Sequence, residues 1–176
     1  MACRGTISSI MICFPCKDVE GEAGCDAGRQ GTMIPPFDPE GDLPPGRHQT
    51  TWREFQERFC VFTSSDRRFQ LCRRIDQLIE EARVSQIVER IIFGGSFVSA
   101  RPAPNDFDCV LVLHAGTRYE TLRPFQRWVA DTREASRRYR GDIFVATADQ
   151  ATLDIYLEFF AMNRHGKQVG LVEVTL

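Results

Sequence analysis

The chain holds no apolar stretch approaching the roughly 20 residues that cross a bilayer, so no membrane-spanning helix is expected. It has no excess of one charge. Its 22 Lys and Arg stand against 24 Asp and Glu, and a net −2 argues against broad electrostatic binding to nucleic acid. Internal repeats are absent. His48, His114 and His165 lack the carboxylate or cysteine spacing of a zinc site and are assigned no role. Near the start, Ile10-Met11-Ile12 is interrupted by Cys13, Pro15 and Cys16, too short and broken for a secretory signal. The expectation is a cytoplasmic protein.

What the chain does have is the size and apolar content for one core. It has 176 residues, 43% of them hydrophobic and 26% charged, ordinary values for a globular domain. Seven cysteines are many for this length. Cys60, Cys72 and Cys109 sit inside apolar patterns and read as small buried hydrophobes in a reducing compartment. Cys3, Cys13, Cys16 and Cys25 include one Cys-x-x-Cys, a zinc half-site without a closely spaced second pair. The Gly-rich acidic stretch from Glu20 to Gly24 suits disorder. Residues 1–32 are therefore expected to be a flexible extension, or the product of an upstream start codon, ahead of a domain spanning 33–176.

Along that domain, Pro35, Pro36, Pro39, Pro44 and Pro45 predict an extended arm over 33–49. Thr50 or Thr51 caps a helix from Trp52 to Phe59, with Trp52, Phe55 and Phe59 on one packing face. Ser64 or Ser65 caps a longer helix to about Ala82, with apolar positions Phe69, Leu71, Cys72, Ile75, Leu78, Ile79 and Ala82. A strand over Ile87–Phe93 follows. Pro124 opens a helix running to about Tyr139, whose end carries Arg133, Arg137, Arg138 and Arg140, a solvated basic face. A last helix over about 150–163 places Leu153, Tyr156, Leu157 and Phe160 inward, with Asp149 as its cap and Asp154 on the surface. Gly166 turns the chain into a closing strand from Gly170.

Between these elements lies the most informative pattern. The strand ending at Phe93 meets Gly94-Gly95-Ser96, and ten positions after Ser96 comes Asp106-Phe107-Asp108, opening the apolar run Cys109 to Leu113. Side chains on a strand alternate, so Asp106 and Asp108 are expected on one face. Adjacent carboxylates repel, and a hard divalent cation relieves that repulsion. A glycine turn at a strand end offers backbone N–H groups to phosphate oxygens. Asp142 begins another apolar run, Ile143 to Ala146. A strand, a crossover helix and a second strand pair in parallel, which brings both strand starts, and with them all three aspartates, to one sheet edge.

Gly94, Gly95, Ser96, Asp106 and Asp108, with Asp142 as third carboxylate, resemble the signature of the polymerase beta-like nucleotidyltransferase superfamily. The likeness covers roughly residues 66–147. Outside it, Met33-Ile34-Pro35-Pro36-Phe37, Leu43-Pro44-Pro45-Gly46 and Tyr156-Leu157-Glu158-Phe159-Phe160 resemble a short bacterial branch of minimal nucleotidyltransferases. The resemblance implies an α/β (α+β) fold, a small mixed sheet of about four strands flanked by helices. It implies an enzyme moving NMP from an NTP, with ATP expected, to a hydroxyl, using two Mg²⁺ ions. Asp106 and Asp108 would bridge both ions and Asp142 would hold the catalytic one. Gly94, Gly95 and Ser96 would bind the phosphates, with Arg101 neutralising their charge. The chain is too short for an added substrate-binding domain, so a protein or tRNA acceptor is expected, in a toxin–antitoxin type setting. The competing expectation is a non-catalytic, antitoxin-like module that docks a partner protein.

Overall fold

The computed structural model describes residues 34–61 and 66–176. The expectations for residues 1–32, the four early cysteines and the caps Ser64 and Ser65 lie outside them. The fold class agrees with expectation: helices flank a mixed sheet. The sheet has five strands rather than about four. They are β1 (Gly46–Thr50), β2 (Val88–Gly94), β3 (Asp108–Leu113), β4 (Asp142–Thr147) and β5 (Gly170–Thr175), in the order β1-β5-β2-β3-β4.

The additional strand is β1, which falls in the segment expected to be only an extended arm. Its prolines end at Pro45, and the next five residues pair in parallel with β5, from Gly46 opposite Gly170 to Thr50 opposite Val174. An edge strand uses backbone donors on one side only, so little in its own side-chain pattern reveals it. The β5 strand runs antiparallel to β2, β2 antiparallel to β3, and β3 parallel to β4. The expected parallel crossover is thus present.

Helix α1 (Trp52–Phe59) has the expected bounds. Thr51 caps it, its hydroxyl accepting from the Glu54 N–H while the Glu54 carboxylate accepts from the Thr51 N–H. Helix α2 (Asp66–Ser85) buries Leu71, Cys72, Ile75, Leu78, Ile79 and Ala82. Phe69, expected in that set, is instead 61% exposed, and Arg68 takes its place in the interior. Counting back from Leu71, Cys72 and Ile75 by three, four and seven residues reaches 68; position 69 is about 100° out of phase.

The expected helix from Pro124 to Tyr139 is two, α3 (Pro124–Ala130) and α4 (Thr132–Tyr139). Asp131 between them adopts an extended backbone, and its carboxylate accepts from the Glu134 N–H at 2.9 Å, ending one helix and capping the next. Gln150, not Asp149, stands at the N-cap position of helix α5 (Ala151–Phe160) and makes no side-chain capping bond, while the Asp149 carboxylate bonds the Thr147 hydroxyl.

Two apolar layers result. Alternate residues of β2, β3 and β4, including Ile91, Phe93, Cys109, Leu111 and Ile143, pack against α1 to α4. The other face, with Ile92, Val110, Val112 and Ala146, is covered by Leu153 and Phe160 of α5. Cys60 and Cys72 form a disulfide joining the end of α1 to α2, which corrects their reading as free hydrophobes. The two helices bring their Cα atoms to 5.8 Å, within disulfide reach. Cys109 is buried and free, as expected. Among the described residues no helix is long and apolar enough to cross a membrane.

Candidate functional site

Register places the three aspartates. In the parallel β3–β4 pair Asp108 lies directly opposite Asp142, and across the antiparallel β2–β3 pair it lies opposite Gly94. The Asp142 N–H donates to the Phe107 carbonyl at 2.9 Å, closing the ladder at that edge. Asp108 shares its side of β3 with Val110 and Val112, and Asp142 shares its side of β4 with Phe144 and Ala146. Both aspartates therefore belong to the α5 face.

Asp106 precedes β3 in a bend rather than extending the strand. It still acts on Asp108. Burial first, then the charges of Asp106 and Asp142, push the Asp108 carboxyl up to about 6 from the ordinary 3.8. A carboxylate flanked by two others and half withdrawn from water is disfavoured in its charged form. Hard oxygen donors of this kind suit a divalent cation such as Mg²⁺, but among the described residues the carboxylates that gather within 4.8 Å of one another are those of Asp38, Glu40 and Asp42.

The glycine turn divides by function. Gly94 is the last residue of β2, buried, and its backbone is extended. A Cβ there would come within 3.1 Å of the Phe160 Cβ, so its smallness lets α5 approach the sheet. Gly94 does not line the cleft described below. Gly95 has φ +66°, the left-handed region, and a Cβ there would sit 2.8 Å from the Asp108 Cγ. Only glycine fits a backbone laid against that carboxylate. The chain then forms a short 3₁₀ turn, Gly95–Val98.

These residues open on a cleft of about 680 Å³. Asp108, Gly95, Ser96 and Arg101 line one part of its wall. Asp106 and Asp142 lie outside that wall, although both act on Asp108. Phe159, Met162 and His165 also line it, and sequence reasoning had given His165 no role.

Two residues that sequence reasoning missed hold the site's loops. Arg68, fully buried, donates to the carbonyls of Phe97 and Ser99 at 2.7 Å, of Arg101 at 2.6 and 3.0 Å, and of Phe59 at 3.2 Å. One guanidinium thus fixes the whole path from the 3₁₀ turn to Arg101. Burial lowers its pKa to about 10, so it stays charged at neutral pH. Arg67 donates to the carbonyls of Pro104 and Asn105, the loop leading into Asp106. The signal was available: Arg68 stands in phase with the apolar stripe of α2.

Asp38, Glu40 and Asp42 were also not anticipated. Their carboxylates gather within 4.8 Å of one another, a metal-ligand spacing. Lys167 lies among them, its Nζ 2.6 Å from Asp38, 3.4 Å from Asp42 and paired with Glu40. The ammonium supplies the cation this cluster needs and ties the N-terminal arm to the turn after α5.

One family matches this chain from residue 35 to residue 175. The chain belongs to the family of unknown function DUF6932. The match takes in β1 and its prolines as well as β5, so this DUF6932 member carries the edge strand and the Lys167 turn within the family's span. No curated protein and no solved structure matches the chain.

Proposed function

We infer that this DUF6932 member is a metal-dependent nucleotidyltransferase. The observation that carries the reading is the register: Asp108, which lines a cleft, stands opposite Asp142 on one side and beside Gly95 on the other. Carboxylates and a left-handed glycine turn meeting at one strand end suit a metal-bound triphosphate.

In the reaction, an acceptor hydroxyl oxygen bonds to the α-phosphorus of an NTP. The bond from that phosphorus to the β-bridging oxygen breaks, and pyrophosphate leaves. Bound Mg²⁺ would supply charge neutralisation and a lowered hydroxyl pKa. Asp106 and Asp108 would hold it from one strand end. Asp142 would complete the set and take up the hydroxyl proton. The Gly95 and Ser96 N–H groups and the Ser96 hydroxyl would bind the phosphates, with Arg101 balancing their charge. Arg68 keeps that loop in place without entering the cleft. The acceptor would be a protein or tRNA hydroxyl, in a toxin–antitoxin setting.

The test is incubation of the full chain with each α-³²P-labelled NTP, Mg²⁺, and separate pools of protein and tRNA. Label transfer with pyrophosphate release is expected for wild type, and none for Asp108→Ala. Absence of release from every combination, with a partner complex that survives loss of all three aspartates, would establish a docking module instead.

A further inference from the structure

The cleft's lining joins charged residues, Asp108, Arg164 and Lys167 among them, with exposed apolar ones from the end of α5, and nothing in the phosphate chemistry accounts for the apolar ones. Gly94 lets the end of α5 sit against the sheet, burying Phe160 beside the glycine turn. Its neighbour Phe159 is driven outward by helical phasing and is 67% exposed while lining the cleft. Met162, 46% exposed, lines it too. The Phe159 and Phe160 rings stand nearly perpendicular, with centroids at 5.3 Å and planes at 76°. Such a contact takes at most one face of Phe159, which leaves a phenyl face for a ligand.

Resting on the transferase reading, we propose that Phe159 is the platform on which the nucleobase of the bound NTP stacks, with Met162 packing beside it. The cleft's volume is that of a small-molecule site and larger than a triphosphate needs. A nucleoside triphosphate anchored at Gly95, Ser96 and Asp108 carries its flat base away from the charged end. An aromatic face and a polarisable thioether are what such a base requires. Ile155, exposed one turn earlier on α5, does not line the cleft, so Phe159 and Met162 are the part of the stripe that belongs to it. Stacking reads the π-face common to all bases, so Phe159 would contribute affinity for ATP and GTP alike.

The experiment is calorimetric titration of the full chain, in Mg²⁺, with ATP, with GTP and with inorganic tripolyphosphate. Wild type, Phe159→Ala and Phe159→Trp are compared, each checked for an unchanged melting temperature. The expected result is a loss of about tenfold or more in ATP and GTP affinity for Phe159→Ala, the scale of one stacked base. Tripolyphosphate binding should be unchanged, and Phe159→Trp should retain nucleotide affinity. Equal nucleotide affinity in wild type and Phe159→Ala would overturn the platform while leaving the transferase reading standing. An equal loss for tripolyphosphate would also overturn it, because the effect would then lie at the phosphate end. Failure of wild type to bind either ligand would overturn both readings.

Discussion

Asp108 is the residue on which the site turns. Folding buries it between two other carboxylates, so in the folded chain it holds its proton up to about pH 6, against 3.8 ordinarily. Between those values the folded state binds more protons than the unfolded state, and stability falls as pH rises from about 4 to 6. Asp108→Asn removes that penalty. The variant should melt above wild type at pH 7 in metal-free buffer, the difference closing toward pH 4, while transfer is lost. Parallel melting curves for the two proteins across this pH range would contradict the assignment. Arg68 acts in the opposite sense. Its removal leaves the carbonyls of Phe97, Ser99 and Arg101 without their buried donor, at about 1–3 kcal/mol for each group left unsatisfied. Arg68→Met should cost about 3 kcal/mol or more in denaturant unfolding. A loss below 1 kcal/mol would mean that solvent reaches the loop, about the net value of a single exchanged bond.

At the scale of elements, the crossover from β3 to β4 sets the triad. Gly141, just before β4, lies so close to Phe107 that a Cβ would meet its Cε2 at 2.6 Å. Gly-Asp before a strand reads as an ordinary turn, yet here the glycine lets β4 seat against β3 in the register that puts Asp142 opposite Asp108. Gly141→Ala should destabilise by about 1–3 kcal/mol, the range for overpacking a well-filled interior. Its transfer rate should fall as well, because the displaced element carries Asp142. Full activity with wild-type stability would show that the ring moves aside freely. The Cys60–Cys72 disulfide closes a short loop between α1 and α2. Cross-linking a loop of this size contributes about 3 kcal/mol on the chain-entropy account. Reduction should lower the midpoint of unfolding correspondingly, and free-thiol counting under denaturation checks that the bond is present.

Across the whole molecule, the arm ahead of α1 contributes to the fold. Leu43 is buried, β1 completes the sheet, and Asp38 and Asp42 hold the turn carrying Lys167. Lys167 is the largest cause lowering the Asp38 pKa. A chain beginning at Thr51 would lose the β1 pairing and expose the edge of β5, a template for aggregation. It should be insoluble or melt without a cooperative transition, as circular dichroism and size exclusion would report. A monomer with wild-type melting would show that the arm is dispensable.

Strong local signals made the core legible in the sequence. The stripes of α1 and α2 and the apolar runs of β2 to β4 follow from side-chain periods of 3.6 and 2, and the parallel crossover brings Asp108 and Asp142 to one edge. Glycine chemistry was legible only in part. Gly94 and Gly95 read alike, yet one makes room for Phe160 and the other lies against Asp108 in the left-handed region. Tertiary structure decided what depends on distant partners. The β1 strand exists because β5 offers it an edge, and Arg68 is tolerated inside because loops from 59 to 101 aim carbonyls at it. Phe159 faces the cleft because Gly94 admits Phe160. In each case the residue's own neighbours in sequence carry no mark of the group it meets, since hydrogen bonds and packing across a fold are set by which surfaces the chain brings together.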